Sequence, residues 1–191
     1  MSYSDTLVEQ LERYVPFNEQ EEKDKKEILR RLKKEELYLR DNNGAHLTAS
    51  AWVVSPDRRQ VLMCYHNIYH SWSWLGGHCD GDRNLLRVAI REVKEESGLE
   101  EVRPVSEDIF SLEILTVDGH EKRGEYVSSH LHLNITYLLE ADPNAPLHNK
   151  ADENAGVKWF ERNAAVEAST EPWFKERIYN KLNAKLEKME H

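Results

Sequence analysis

The sequence predicts an α/β sandwich built on a mixed sheet, with helical extensions at both ends. Three observations carry this expectation. Strand-like runs recur between His46 and Phe160, a helix-period segment interrupts them at residues 85–96, and both ends of the chain have charged or amphipathic helical texture. At 191 residues there is room for one domain with appendages and for a sizeable core.

In chain order, residues 1–40 read as helical. Asn18 followed by Glu21 suggests a capping box, and Ile28 with Leu32 gives a narrow apolar stripe suited to docking on a larger body. Asp41-Asn42-Asn43-Gly44 is a strong stop, and the compact domain is expected to begin there. TASAWVV (48–54) and QVLMCY (60–65) are β-rich runs parted by a Ser-Pro-Asp turn. The aromatic stretch YHNIYHSWSWLGGH closes on Gly76-Gly77, and the helix of 85–96 stops at Gly98. Strands are expected near 109–115, 130–139 and 156–160, with an Asp118-Gly119 hairpin signal between the first two. Phe174, Ile178, Leu182 and Leu186 recur every four residues and predict an amphipathic C-terminal helix. The expected organisation is therefore an N-terminal helical extension (1–40), a central domain (41–168) and a C-terminal helix (169–191) packed on that domain or on a homodimer partner.

Composition narrows the class of function. Hydrophobic residues make up 39% and charged residues 32%, the balance of a folded soluble chain. The formal net charge of −9 lacks the basic footprint that duplex nucleic acid requires, so an anionic ligand would have to be met by local cations. Cys64 and Cys79 cannot build a disulfide scaffold, and the N-terminal MSYSDTLVEQLERYVPF has no basic region followed by an apolar run. No stretch approaches the roughly 20 apolar residues that span a bilayer. A reducing cytoplasm and no membrane partner are the expectation.

The segment REVKEES (91–97) is the most informative. It places Glu92, Glu95 and Glu96 within an arc of about 100° on the predicted helix. Leu86, Ala89, Ile90 and Val93 lie alongside as the core-facing stripe, which puts the carboxylates at the edge of that stripe. Taken alone, such a run more often marks a solvated face with an Arg91–Glu95 ion pair. Clustered oxygen ligands beside a core equally suit a hard cation.

Its surroundings decide between the two. Gly77 to Leu99, GHCDGDRNLLRVAIREVKEESGL, resembles the Nudix box, G-x5-E-x7-R-E-U-x-E-E-x-G-U with U aliphatic. Gly77, Arg91, Glu92, Val93, Glu95, Glu96, Gly98 and Leu99 match at the required spacing, and the resemblance extends over about residues 46–165. It implies a Nudix-type α/β/α sandwich. It also implies a Mg²⁺- or Mn²⁺-dependent hydrolase acting on the pyrophosphate linkage of a nucleoside diphosphate joined to another moiety. By position, Glu92, Glu95 and Glu96 are the implied metal ligands, completed by the carbonyl of Gly76. Glu92 would also orient or deprotonate water, and Arg91 would hold the glutamates in place. The first glutamate of the pattern falls on Arg83, beside Asp82. Arg83 in that place motivates two alternatives, a phosphate contact or a non-catalytic nucleotide-binding sensor. An isopentenyl-diphosphate isomerase-like enzyme shares the fold but would need Cys79 for its chemistry.

Outside the box, Glu153 is the candidate catalytic base, against a plain role as a solvated loop residue, with Glu121 and Glu125 as weaker alternatives. His78 sits at the mouth of the expected site as a candidate phosphate contact. Trp72 and Trp74, with Tyr69, could stack a substrate ring or fill the core. His130 and His132 share one strand face, and with His66, His70 and His78 they raise a second metal site, against ordinary hydrogen bonding.

Overall fold

The computed structural model describes residues 6–41, 44–122, 124–150 and 154–190. Helices α1 (Leu7–Arg13) and α2 (Glu19–Leu32) form the N-terminal extension. At α1 the capping box is complete: Thr6 Oγ1 accepts the Glu9 amide, and Glu9 accepts the Thr6 amide at 2.7 Å. At α2 only half of the expected box forms. Asn18 accepts the Glu21 amide at 3.0 Å, but the Glu21 carboxylate turns inward to the Phe17 amide, Tyr14 and Ser111. A buried charge needs several partners, and the local cap cannot supply them.

The remaining strands and helices are β1 (Ala45–Val54), β2 (Gln60–His66), β3 (Ser71–Ser73), β4 (Leu75–His78), α3 (Leu85–Ser97), β5 (Arg103–Pro104), β6 (Ser111–Val117), β7 (His120–Lys122), β8 (Glu125–Val127), β9 (His130–Glu140), β10 (Asn154–Glu161), α4 (Arg162–Ala168), α5 (Pro172–Phe174) and α6 (Asn180–Met189). One mixed sheet runs β10-β2-β1-β9-β5, with β3 beside β2, β4 beside β1 and β6 beside β9. Strand β1 lies parallel to β9 along its whole length and antiparallel to β4, Thr48 facing His78 and Ala51 facing Leu75. The β7–β8 pair reverses after Lys122, not at Asp118-Gly119, which instead joins β6 to β7.

Alternation along β1 sorts the two faces. Ala45, Leu47, Ala49, Ala51 and Val53 share a core with Leu85, Val88, Ala89 and Val93 of α3. The opposite face carries Trp52 and Val54 under Ile178, Tyr179, Leu182 and Leu186 of the C-terminal helix. The sandwich is thus α/β/α, and the C-terminal helix is one of its layers. Between α5 and α6 the chain makes a π-helical turn, Lys175–Tyr179. That turn delivers Tyr179 onto Trp52, 5.4 Å between ring centroids, with its hydroxyl accepting the Trp74 amide at 3.3 Å.

The N-terminal extension covers an edge. Asp24 of α2 accepts the Ile114 amide of edge strand β6 at 3.1 Å, where an unpaired amide row would otherwise remain. A buried ionic cluster ties both extensions to β6. Lys181 Nζ lies 2.9 Å from Glu113 and 3.1 Å from Glu21, and Lys185 Nζ lies 3.1 Å from Glu21. Burial would raise the Glu21 carboxyl, but the Lys181 and Lys185 charges outweigh it and push it down to about 2.

Candidate active site

Helix α3 is set by its ends. Asn84 accepts the Arg87 amide at 2.9 Å, and Gly98 closes the helix at φ +72°, a left-handed cap that also brings its Cα hydrogens against His148. The buried residues are Leu85, Val88, Ala89, Val93, Glu96 and Ser97, with Leu86 and Ile90 only partly covered. This rotates the buried arc from the expected stripe toward the carboxylates. At about 100° per residue Glu96 falls at the centre of the arc and Glu92 just beside it. Glu96 is therefore not an edge residue: it is 6% exposed, against 47% for the Glu95 side chain.

The two glycines at the turn of β4 make this burial workable. Glu96 Oε2 accepts the Gly76 amide at 3.0 Å. A Cβ on Gly76 would sit 2.5 Å from the Ala49 carbonyl oxygen, and one on Gly77 would sit 2.3 Å from Glu92 Oε2. Gly76 lets β4 lie close on β1, Gly77 leaves room for the Glu92 carboxylate, and Glu96 is tied to the Gly76 amide, so the four residues form one packed unit.

Cations frame it. Arg91 Nη2 donates to Glu92 Oε1 at 2.9 Å and to the His78 carbonyl at 3.2 Å, and Arg91 Nε lies 3.8 Å from Glu95. Its pairing with Glu92 raises the Arg91 guanidinium further. Asp82 joins the same network, gripped by two nitrogens of Arg87 and 3.8 Å from Arg91; the Arg87 hydrogen bonds hold its carboxyl below the usual range. Lys150 Nζ lies 3.5 Å from Glu95, and Asn154 Nδ2 donates to the Glu96 carbonyl at 3.1 Å. The His148 amide also donates to the Ser97 carbonyl at 2.8 Å. The loop before β10 is thus docked on the C-terminal end of α3, a contact no local sequence signal announces.

Not every candidate joins this unit. Arg83 is 70% exposed on its side chain and turns to the N-terminal extension, 3.1 Å from Glu36 and 4.7 Å above the Tyr38 ring. Trp74 is 8% exposed and enclosed by Phe174 and Tyr179, which makes it a core residue with no face for a ligand ring. Trp72 is half-buried, edge-on to Tyr65 and Phe160. Glu153 lies outside the described residues. Glu121 and Glu125 stand on the β7–β8 hairpin. Burial pushes the Cys79 thiol up to about 12.

The second face of the sheet is polar beyond Trp52. Thr48 and Ser50 donate to Asn134 Oδ1 at 2.9 and 2.8 Å, and Asn134 and Thr136 donate to Glu113 at 3.1 and 3.0 Å. This buried network continues into Lys181. At its other end His78 packs against His46 and His132. His66 contacts Tyr69, and His70 is exposed at φ +48° in the β2–β3 turn, so neither joins those rings.

Comparison with known proteins agrees with this architecture. The family model described as the NUDIX domain matches residues 44–182. A C. elegans Ap4A hydrolase in a binary complex superposes with a TM-score of 0.55 at 20% identity, covering 74% of this chain and 98% of that one. An E. coli dihydroneopterin triphosphate pyrophosphohydrolase gives 0.53 at 16% identity, covering 76% and 96%. A Nudix hydrolase from M. smegmatis gives 0.55 at 15% identity, covering 76% and 88%. At these identities the likeness establishes the fold. A search of curated proteins gave no match.

Proposed function

The chain belongs to the Nudix hydrolase family, and on that premise we propose that it cleaves the pyrophosphate linkage of a nucleoside diphosphate joined to another moiety, in a reaction dependent on Mg²⁺ or Mn²⁺. One observation carries the reading: Glu92 packs against Gly77 and Glu96 accepts the Gly76 amide, with the half-exposed Glu95 beside them on α3. Carboxylate oxygens of this kind, with Glu92 held where a Cβ on Gly77 would displace it, suit a hard divalent cation. Glu92, Glu95, Glu96 and the Gly76 carbonyl would hold the ion, whose chemistry when bound is to neutralise phosphate oxygens and lower the pKa of water.

The chain's own groups have distinct tasks in this scheme. Glu92 faces the reacting centre with its orientation set by Arg91. Glu96 fixes Gly76. Arg91 and Lys150 offset the overall negative charge and favour approach of a phosphate anion. Asp82, bound into the Arg91 network, takes the supporting place that Arg83 leaves without a carboxylate. Glu153 is the proposed base. The described residues that flank it, Lys150 and Asn154, both bind α3, which supports its choice as the base.

The test is phosphate release from a panel of nucleoside polyphosphates and nucleotide-linked diphosphates with Mg²⁺ or Mn²⁺. Turnover abolished in Glu96→Gln is the expected result. Thermal shifts with nucleotides but no turnover would favour the sensor reading, which Arg83 motivates. Isomerase-type cysteine chemistry is disfavoured by the burial of Cys79, whose thiol is not the nucleophilic form at neutral pH.

A further inference from the structure

Four histidine rings converge at the N-terminal end of β1. His46 comes from β1, His78 from β4, and His130 and His132 from β9. The parallel register sets His46 opposite His132, and the antiparallel register sets Thr48 opposite His78. His46 lies 5.0, 4.8 and 4.9 Å, centroid to centroid, from His78, His130 and His132. His78 and His132 are 5.0 Å apart. One ligand nitrogen from each of His46, His130 and His132 lies within 4.8 Å of the other two.

The finer geometry suits ligation. His130 Nδ1 is 2.8 Å from the Ser128 carbonyl, which can only accept, so this nitrogen carries the proton. His130 Nε2 is then the acceptor of the 3.2 Å hydrogen bond from His132 Nε2. A metal bound at both nitrogens would replace that shared proton, with His132 shifting to its Nδ1–H tautomer. Tetrahedral zinc with bonds of about 2.0–2.1 Å needs ligand nitrogens about 3.4 Å apart. The His130–His132 edge is already close to that spacing, and a His46 nitrogen lies within 4.8 Å of a ligand nitrogen of each. A backbone carbonyl on the far nitrogen is the usual outer support of a metal-bound imidazole. Of the nearby charges, Arg40 and Asp80 neutralise one another at 2.6 Å.

We infer that His46, His130 and His132 form a second metal site, for a borderline divalent cation such as Zn²⁺, with the His78 ring as its wall. Imidazole favours such a cation over Mg²⁺, so the site is chemically separate from the carboxylates. It is separate in space as well: Gly77 meets Glu92 on one face of β4, while the His78 ring meets His46 and His132 on the other. The strand that shapes the carboxylate unit therefore also borders the histidine site, and a cation there would pin β1 to β9.

The test uses the full-length protein, stripped with a chelator, then loaded with Zn²⁺ or Co²⁺ in excess Mg²⁺ and desalted. The expected result is one retained equivalent of Zn²⁺, a visible d–d absorption with Co²⁺, and a higher Tm with Zn²⁺. Both the retention and the absorption should be lost in His130→Gln and His132→Gln and kept in Glu92→Gln/Glu96→Gln. Failure to retain either ion would overturn the site, as would retention by both histidine variants. Loss in the carboxylate variant alone would assign the metal to the glutamates instead. Should His132→Gln not fold, the less enclosed His130→Gln decides, together with ring-nitrogen chemical shifts of the unmodified protein titrated with Zn²⁺. None of these readouts depends on hydrolysis, so the site can fail while the proposed activity stands.

Discussion

Replacing Lys181 by Met tests how the two ends of the chain are held to the domain. Lys181 Nζ is the shared partner of two fully buried carboxylates, 2.9 Å from Glu113 and 3.1 Å from Glu21. Met keeps most of the aliphatic stem, so the loss is chiefly electrostatic. Glu21 retains Lys185 at 3.1 Å, but Glu113 is left with neutral donors only, from Ser111, Asn134 and Thr136. Breaking a buried pair by removing one partner costs about 3–5 kcal/mol. A domain of this size loses about 2–4 °C of Tm per kcal/mol, so a fall of roughly 6–20 °C is expected in thermal unfolding followed by circular dichroism. The deficit should shrink at acid pH, where the stranded carboxyls protonate, and Lys181→Met/Glu113→Gln should recover part of it. A Tm within about 2 °C of the parent at pH 7 would refute the account of the cluster as the clamp between the extensions and β6.

Other perturbations separate site from scaffold. Gly77→Ala should push the Glu92 side chain aside, since its Oε2 would lie 2.3 Å from the new Cβ. We expect calorimetric Mn²⁺ affinity to fall and turnover to drop about 100-fold, with Tm little changed, because an ångström of misplacement is that costly. For acid stability, the Glu21 carboxyl is depressed to about 2 from an ordinary 4.5, with burial opposing and Lys181 and Lys185 prevailing. Its contribution, about 3 kcal/mol, is present above the unfolded value and is lost as pH falls from about 5 through 2. Urea unfolding between those limits should therefore show a steeper loss for the parent than for Glu21→Gln. Arg83→Ala removes one exposed ion pair and a cation–π contact with Tyr38, so its stability should change by no more than about 1 kcal/mol. Turnover after Arg83→Ala should stay near the parent value, and a large loss would mean that Arg83 reaches substrate.

Much of this protein was legible in its sequence because the signals are local. The β-rich run TASAWVV, the Gly98 stop and the fixed spacing from Gly77 to Glu96 each depend on residues within a few turns of one another. They located the main strands, the helix and the carboxylate unit. Periodicity misjudged which residues on that helix are buried, because the arc is set by what packs on it. Gly77 admits Glu92 where a side chain on β4 would have displaced it, and the Gly76 amide draws Glu96 in. Trp74 could be read from sequence as platform or core. The π-helical turn that sets Tyr179 edge-on against it was not written in any local pattern.

What only the tertiary structure decided shares one physical cause: pairings between segments far apart in the chain, whose register no local period encodes. The parallel pairing of β1 with β9 brings His46 to His130 and His132. Folding both extensions onto β6 brings Glu21 to Lys181 and Lys185, where partnering a buried carboxylate outweighs the helix cap its sequence position suggested. The sequence by itself determined the elements and the oxygen-rich motif. The burial that makes Glu96 a packed group, the ionic clamp and the histidine cluster were decided by long-range registry.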